Sequence, residues 1–202
     1  VRIGRKAFVA GGNGVETTEA DRLETEAKTV VFVSHGDACI GLIAIADPLK
    51  ENAQEAVSEL KKLGMRPVML TGDNTRTAEA IAKQVGIETV HAEIMPEDKL
   101  RLVKEAQELD ERVVFVGDGI NDAPALTQAD LGMAMGTGTD IAIESGQIVI
   151  MGGEAGKIPE AILISRKTFG AIKQNLFWAF IYNVIGIPLA ALGLLNPMIA
   201  AG

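Results

Sequence analysis

The amino-acid sequence predicts an α/β fold: a parallel sheet with helices on both faces, preceded by a small β-rich piece and followed by one helix of membrane length. Three observations carry this. From Asp47 to about residue 151, apolar runs of strand length alternate with stretches patterned as helices, as crossover connections between parallel strands require. Before Asp47, two β-branched or apolar runs, Thr29 to Ser34 and Ile40 to Ala46, flank His35-Gly36-Asp37 and read as a hairpin. Beyond residue 175, Leu176 to Leu195 is 20 residues without a charge. At about 1.5 Å per residue such a helix is about 30 Å long, the thickness of a bilayer core.

The elements follow in order. Arg2-Ile3-Gly4 is strand-like and ends at a glycine, and Gly11-Gly12-Asn13-Gly14 reads as a turn. Glu19 to Lys28 is charged with a weak helical pattern. Glu51 to Leu63 puts Ala53, Ala56, Val57, Leu60 and Leu63 on one helical face, and Gly64 ends it. Pro67 to Leu70 is a strand, Thr75 to Val85 a helix closed by Gly86, and Thr89 to Ala92 a short strand. Pro96 starts a helix with Leu100, Val103 and Ala106 at three-residue spacing. Val113-Val114-Phe115-Val116 is a buried strand, Pro124 opens a helix, and short strands lie near 131–135 and 147–151. The glycine-rich run Gly132 to Gly138 lacks the Lys-Ser/Thr ending of a phosphate-cradling P-loop, so it reads as a strand and turn.

Charge and composition exclude several function classes. The net charge of the 202 residues is -8 and no Lys/Arg cluster supplies a basic footprint, which argues against nucleic acid as a partner. Cys39 is the only cysteine, so no intrachain disulfide is possible and a reducing compartment is the natural setting. His35 and His91 are isolated, without zinc-site spacing. The chain opens on Val1 and ends inside an apolar stretch, so it is expected to be a piece of a longer protein.

Two strand ends bear acidic loops: Thr71-Gly72-Asp73-Asn74, and Gly117-Asp118-Gly119-Ile120-Asn121-Asp122. Lys99 lies between them in sequence, near the start of a helix. Neighbouring strand ends of a parallel sheet converge on one crevice. There a Thr hydroxyl and backbone N–H groups can grip phosphoryl oxygens, and a lysine can neutralise them. Carboxylates can anchor Mg²⁺, which keeps several waters and needs few protein ligands. Singly each piece is a common turn or a solvated helix residue; together they point to phosphoryl chemistry.

This constellation resembles the haloacid-dehalogenase-like phosphotransferase fold and, within it, the P-type ATPases. Asp47-Pro48-Leu49-Lys50 is similar to that family's hinge, Pro96-Glu97-Asp98-Lys99 to the segment that supplies its phosphate-contacting lysine, and the two acidic loops to its diagnostic motifs. The resemblance implies Asp118 as a direct Mg²⁺ ligand and Asp122 as support for the metal and the loop, with Asn121 beside them. It implies Thr71, the backbone of Gly72, and Asp73 at the phosphoryl group, with Lys99 offsetting its charge. Gly4 resembles the last glycine of the family's ATP-binding region, although a plain strand-ending glycine explains it nearly as well. Implied boundaries are a partial nucleotide-binding domain over 1–46, a phosphorylation domain over 47–155, a juxtamembrane helix over 156–175, a transmembrane helix over 176–195 and the start of a further loop or helix over 196–202.

Within the span, Tyr182-Asn183 is followed by Gly186 and by Pro188, which should kink the helix. Asn is costly at membrane depth unless it faces a polar site; an interhelical hydrogen bond and an interfacial tyrosine are the alternative. Lys173-Gln174-Asn175-Leu176-Phe177-Trp178-Ala179 leading into Tyr182-Asn183 resembles the heavy-metal branch of these pumps, its copper subgroup in particular. That implies Tyr182 and Asn183 at a site for transported Cu⁺, whose softer thiolate or thioether ligands would lie elsewhere. Arg166, Lys167 and Lys173 precede the span and no Lys or Arg follows, so residues 1–170 are expected to be cytosolic, at a bacterial-type plasma membrane.

The implied function is ATP-driven export of monovalent copper, with ATP and Mg²⁺ as cofactors. The implied partners are the lipid bilayer, the N-terminal remainder of the pump and a copper chaperone. The family's Asp-Lys-Thr-Gly-Thr phosphorylation motif does not occur here, so the chain alone is expected to be inactive. A zinc, cadmium or lead pump of the same branch is the near alternative, and a non-catalytic membrane-tethered regulatory piece the distant one. A soluble phosphatase of this fold would need an Asp nucleophile on its first strand and no span, and the sequence shows the reverse.

Overall fold

A computed structural model of the chain describes residues 1–9, 18–36, 38–46, 49–118, 120–136 and 140–193. The expected turn at Gly11 to Gly14, Asp47-Pro48 of the hinge-like motif, Gly119, Thr137-Gly138-Thr139 and the 196–202 segment lie outside these. Val1–Ile158 forms one compact unit, and the chain from Pro159 onward a second.

The first unit begins with an antiparallel sheet of β1 (Arg2–Gly4), β2 (Thr29–His35) and β3 (Ala38–Ile45), in the order β1-β2-β3. The hairpin register pairs Val30 with Ala44 and Phe32 with Leu42, and slips between Val33 and Ser34. Alternate residues of β2 are buried, the period-2 pattern of a strand covered on one face. Val30 and Phe32 pack there with Val9 of α1 (Lys6–Val9) and Ala20 of α2 (Thr18–Thr25). The short helix α1 was not anticipated from sequence.

The α/β part follows as α3 (Ala53–Lys62), β4 (Val68–Leu70), α4 (Thr75–Val85), β5 (Thr89–His91), α5 (Pro96–Glu108), β6 (Val114–Gly117), α6 (Ala123–Gln128), β7 (Leu131–Met135), α7 (Asp140–Ser145) and β8 (Ile148–Ile150). The alternation read from the sequence holds, with α7 as an addition. All strand pairs here are parallel: β4 with β5, β6 with β7, and β7 with β8.

One expectation is corrected. Instead of a single continuous sheet, the strands form two ladders, β4-β5 and β6-β7-β8, and β4 is not paired with β6. The ladders nonetheless share a core. Leu70 of β4 and Val113 pack against Val103 of α5, Phe115 of β6, and Ala125, Leu126 and Ala129 of α6 and its end. Side-chain burial thus brings together two strands that backbone pairing leaves apart.

The β-rich and α/β parts also touch directly. Thr77 of α4, 1% exposed, donates its hydroxyl to the Lys28 carbonyl at 3.0 Å. Arg76 pairs with Asp21 and, at 3.4 Å, with Glu24 of α2.

In the tail, the two consecutive helical ranges expected from the sequence run together as one helix, α8 (Lys157–Ala191, 35 residues). The loss of charge after Lys173 marks a change of surface, and nothing there breaks the backbone. The helix passes through Pro188, whose carbonyl accepts from Leu192 N at 3.0 Å, and ends before Gly193 at φ +71°. Its apolar portion is long enough to cross a membrane, and none of that stretch is buried.

Candidate functional site

The loop Thr71–Asn74 leaves β4 with its backbone already committed. Thr71 N donates to the His91 carbonyl at 3.0 Å, continuing the β4–β5 ladder by one residue. The Thr71 and Asp73 carbonyls accept from Ile94 N at 3.2 Å and Glu93 N at 2.8 Å. Within the loop, Thr71 Oγ1 donates to Asp73 Oδ2 at 2.9 Å and accepts from Asp73 N at 3.1 Å. Asn74 closes the loop and starts α4: its Oδ1 accepts from Thr77 N, and its Nδ2 donates to Thr77 Oγ1, both at 3.0 Å. Asn at an N-cap satisfies an otherwise orphaned helix donor, so the last residue of the loop is also the first anchor of the next helix. At the N-terminus of α4 the donors are already engaged, Thr75 N by Glu93 Oε1 at 3.3 Å and Thr77 N by Asn74, so the positive end of the helix dipole lies beside the loop with a carboxylate on it.

The second loop is braced from below. Gly117 ends β6, and a Cβ built on it would lie 2.7 Å from both Asp122 Cβ and Oδ2, so no larger residue fits. Asp122 is 6% exposed. Its Oδ2 accepts from Asp118 N at 3.3 Å, and its Oδ1 accepts from Lys99 Nζ at 2.7 Å. Lys99 is delivered by the first turn of α5, where Pro96 opens the helix and Asp98 Oδ2 accepts from Met95 N at 3.0 Å. The hydrogen bonds from Arg101 and from the Met95 amide hold the Asp98 carboxyl below its usual range, so the cap is ionised and firm.

The two aspartates therefore differ. Asp122 is buried and shared between Lys99 and the Asp118 amide. Asp118 is exposed, and among the described residues its carboxylate makes no hydrogen bond or ion pair. Asn121 is exposed in the short 3₁₀ turn between them. Among the described residues no three His, Cys, Asp or Glu cluster as a metal cage. A single free carboxylate over a loop fits Mg²⁺, which typically takes one or two carboxylates and fills its octahedron with water and substrate phosphate.

Gly4 ends β1 opposite Phe32, and the Phe8 ring covers it, its Cδ1 2.9 Å from where a Cβ would stand. The next residue reaches further than sequence reasoning anticipated: Arg5 Nη2 donates to the Gly72 carbonyl at 2.8 Å. An arginine directly after the candidate nucleotide glycine was the available signal. Gly4 is thereby brought beside the Thr71–Asn74 loop.

Tyr182 and Asn183 lie in the second unit, on α8, both exposed. Asn183 Nδ2 donates back to the Ala179 carbonyl at 3.0 Å. Its Oδ1 makes no hydrogen bond among the described residues. The Tyr182 ring lies along Gly186, one turn on, with its Cε1 3.9 Å from a Cβ built there.

A family model for haloacid dehalogenase-like hydrolases matches residues 1–130. The chain is 54% identical over 179 residues to a copper-exporting P-type ATPase of Staphylococcus haemolyticus, covering 89% of this chain and 22% of that protein. It is 50% identical over 186 residues to a probable copper-importing P-type ATPase A of Enterococcus hirae, covering 91% and 26%. It thus spans about a quarter or less of these relatives. Among solved structures, a zinc-transporting PIB-type ATPase superposes with a TM-score of 0.77 at 36% identity, over 98% of this chain and 31% of that one. A catalytic CPx-ATPase domain superposes at 0.55 and 27% identity, over 65% and 53%. With its parallel ladders, its acidic loops after β4 and β6, and Lys99 paired with Asp122 of the second loop, this chain belongs to the haloacid dehalogenase-like hydrolase family, in its P-type ATPase branch.

Proposed function

We propose that the chain is the C-terminal part of an ATP-driven pump that exports monovalent copper through an aspartyl-phosphate cycle. The observation that carries this is the free carboxylate of Asp118 on a loop braced by Asp122 and Lys99, in a chain half identical to copper pumps. In this reading Asp118 holds Mg²⁺, which supplies the positive charge that offsets the transferring phosphoryl group. Asp122 fixes the Asp118 backbone and keeps Lys99 in place. The backbone N–H of Gly72 and the Thr71 hydroxyl, once rotated off Asp73 Oδ2, hold phosphoryl oxygens, the Asp73 amide keeps Thr71 Oγ1 in place, and Asn121 lines the loop. Gly4 admits the nucleotide, ATP, close to the backbone.

The phosphorylated aspartate belongs to an Asp-Lys-Thr-Gly-Thr strand outside this chain. The edges of β4 and β6 that are unpaired among the described residues, on two strands that share a core, suit such a strand between them. The boundaries at 46/47 and 155/156 follow from the same reading. In the second unit, Asn183 offers its free carbonyl oxygen, with Tyr182 beside it, to the transported copper. The basic residues Arg166, Lys167 and Lys173 ahead of the apolar stretch put residues 1–170 on the cytosolic side of a bacterial plasma membrane. There a copper chaperone would deliver the ion.

A zinc-transporting reading has one observation in its favour, the superposition on a zinc pump, but identity there is 36% against 54% for a copper exporter. Measuring ATPase activity of the full-length pump with Cu⁺, Zn²⁺, Cd²⁺ and Pb²⁺ separates them. Stimulation by Cu⁺, lost by at least about 100-fold in Asp118→Ala, is the expected result. Stimulation by Zn²⁺ alone overturns the copper assignment, and near-normal turnover in Asp118→Ala overturns the Mg²⁺ role.

A further inference from the structure

Arg5 differs from most arginines of the first unit. Arg22, Arg66, Arg76, Arg101 and Arg112 each pair with a carboxylate. Arg5 binds a carbonyl instead, that of Gly72, 67 positions along the chain. A carbonyl accepts a hydrogen bond but cancels no charge. The guanidinium therefore keeps its full charge and its other N–H donors, arranged in the planar fork that matches phosphate oxygens.

Its position is specific in two further ways. It directly follows Gly4, so it stands where the β-rich part ends its first strand. It also touches the middle of the Thr71–Asn74 loop, whose far end is fixed from the same part through Asn74, Thr77 and the Lys28 carbonyl. The ion pairs of Arg76 with Asp21 and Glu24 reinforce that contact. The anchor point of Arg5 is thus held from both ends, and an exposed side chain is given a fixed destination.

We propose that Arg5 binds the polyphosphate chain of a nucleoside triphosphate, anchored on the Gly72 carbonyl so that its free donors meet phosphate oxygens between Gly4 and Thr71. The proposal rests on the reading of Gly4 as a nucleotide contact and of Thr71–Asp73 as the phosphoryl site. Arg5 adds to that reading a cation on the nucleotide side, distinct from Lys99, whose ammonium is held by Asp122. A bidentate fork explains an arginine here better than a lysine, which contacts phosphate as a point charge.

The test compares two substrates in the full-length pump, ATP and acetyl phosphate, with Arg5→Ala and Arg5→Lys. Arg5→Ala should raise KM for ATP by about tenfold or more with saturated turnover nearly unchanged, the signature of lost uniform binding. Acetyl phosphate, which has no nucleoside and no polyphosphate chain, should be hydrolysed as before, and Arg5→Lys should recover part of the ATP affinity. An unchanged KM for ATP overturns the proposal. So does a parallel loss with both substrates, which would make Arg5 a prop for the loop. If the unsubstituted pump hydrolyses neither substrate with Cu⁺ present, the pump reading fails and this inference with it. An active pump indifferent to Arg5→Ala sinks the Arg5 proposal alone.

Discussion

Lys99 and Asp122 form a largely buried ion pair at 2.7 Å, with their side chains 20% and 9% exposed. The pair joins the first turn of α5 to the turn before α6, and its second carboxylate oxygen holds the Asp118 amide. Removing one member of a buried pair leaves the other charge desolvated without a partner, which typically costs about 3–5 kcal/mol. Asp122→Ala strands the Lys99 ammonium and Lys99→Met strands the Asp122 carboxylate. Each should lower the urea midpoint markedly. The double variant Lys99→Met/Asp122→Leu should lose less than the sum of the singles by at least about 1 kcal/mol. Strict additivity would show that the pair does not act as a unit.

Gly117 tests the tightness of the same loop. A methyl group there would meet Asp122 Cβ and Oδ2 at 2.7 Å, and Asp122 cannot retreat without giving up Lys99. Gly117→Ala should therefore destabilise the chain by about 1–3 kcal/mol, the usual cost of overpacking. In the full-length pump it should also raise the Mg²⁺ concentration needed for half-maximal activity, because Asp118 moves with the loop. Wild-type stability and Mg²⁺ dependence would mean that the loop yields freely.

These local features were legible in the sequence because their causes are local. The bounds of α4 match expectation residue for residue, since Asn74 caps one end and Gly86, at φ +83°, closes the other. The strand before Gly117 and the proline after Asp122 fix the second loop in the same way. Two features were hidden because their causes are not local. The split into two ladders depends on which strand edges meet, and an apolar run such as Val113–Val116 carries no record of its neighbour. The contacts Arg5–Gly72 and Thr77–Lys28 join residues 67 and 49 positions apart, with no periodicity to announce them.

Asp130 predicts a pH dependence. Its carboxylate accepts from Val113 N at 3.0 Å, from Gln107 Nε2 at 3.0 Å and from Arg112 Nη1 at 2.7 Å, tying α5, the start of β6 and the turn before β7. The Val113 amide above all, then Gln107 and Arg112, hold its pKa far below the ordinary carboxylate value. A carboxyl whose pKa is depressed by folding stabilises the folded state above its unfolded pKa, about 3.9. That contribution is lost as pH falls below about 4. Urea midpoints measured at pH 7, 5 and 3 should therefore drop more steeply for the parent chain than for Asp130→Asn, which has no proton to take up. Equal slopes would show that the bracket at Asp130 is electrostatically idle.

Asn183 separates a ligand role from a structural one. Its amide nitrogen is spent on the Ala179 carbonyl, while its Oδ1 is unpaired among the described residues and the Tyr182 ring lies over Gly186 on the adjoining face. Asn183→Leu keeps the branched side-chain shape at a larger volume, removes that oxygen together with the amide donor to Ala179, and leaves the backbone ladder of α8 intact. If the oxygen contributes to the copper site, the Cu⁺ concentration for half-maximal ATPase stimulation should rise by about 10–100-fold, the range seen when a contact that tunes a metal site is removed. KM for ATP should stay unchanged, because the phosphoryl loops sit in the first unit. Asn183→Gln, whose carbonyl is displaced by one methylene, should not restore Cu⁺ affinity. Unaltered Cu⁺ activation in Asn183→Leu would return this residue to a helix-packing role and remove the oxygen ligand from the proposed path.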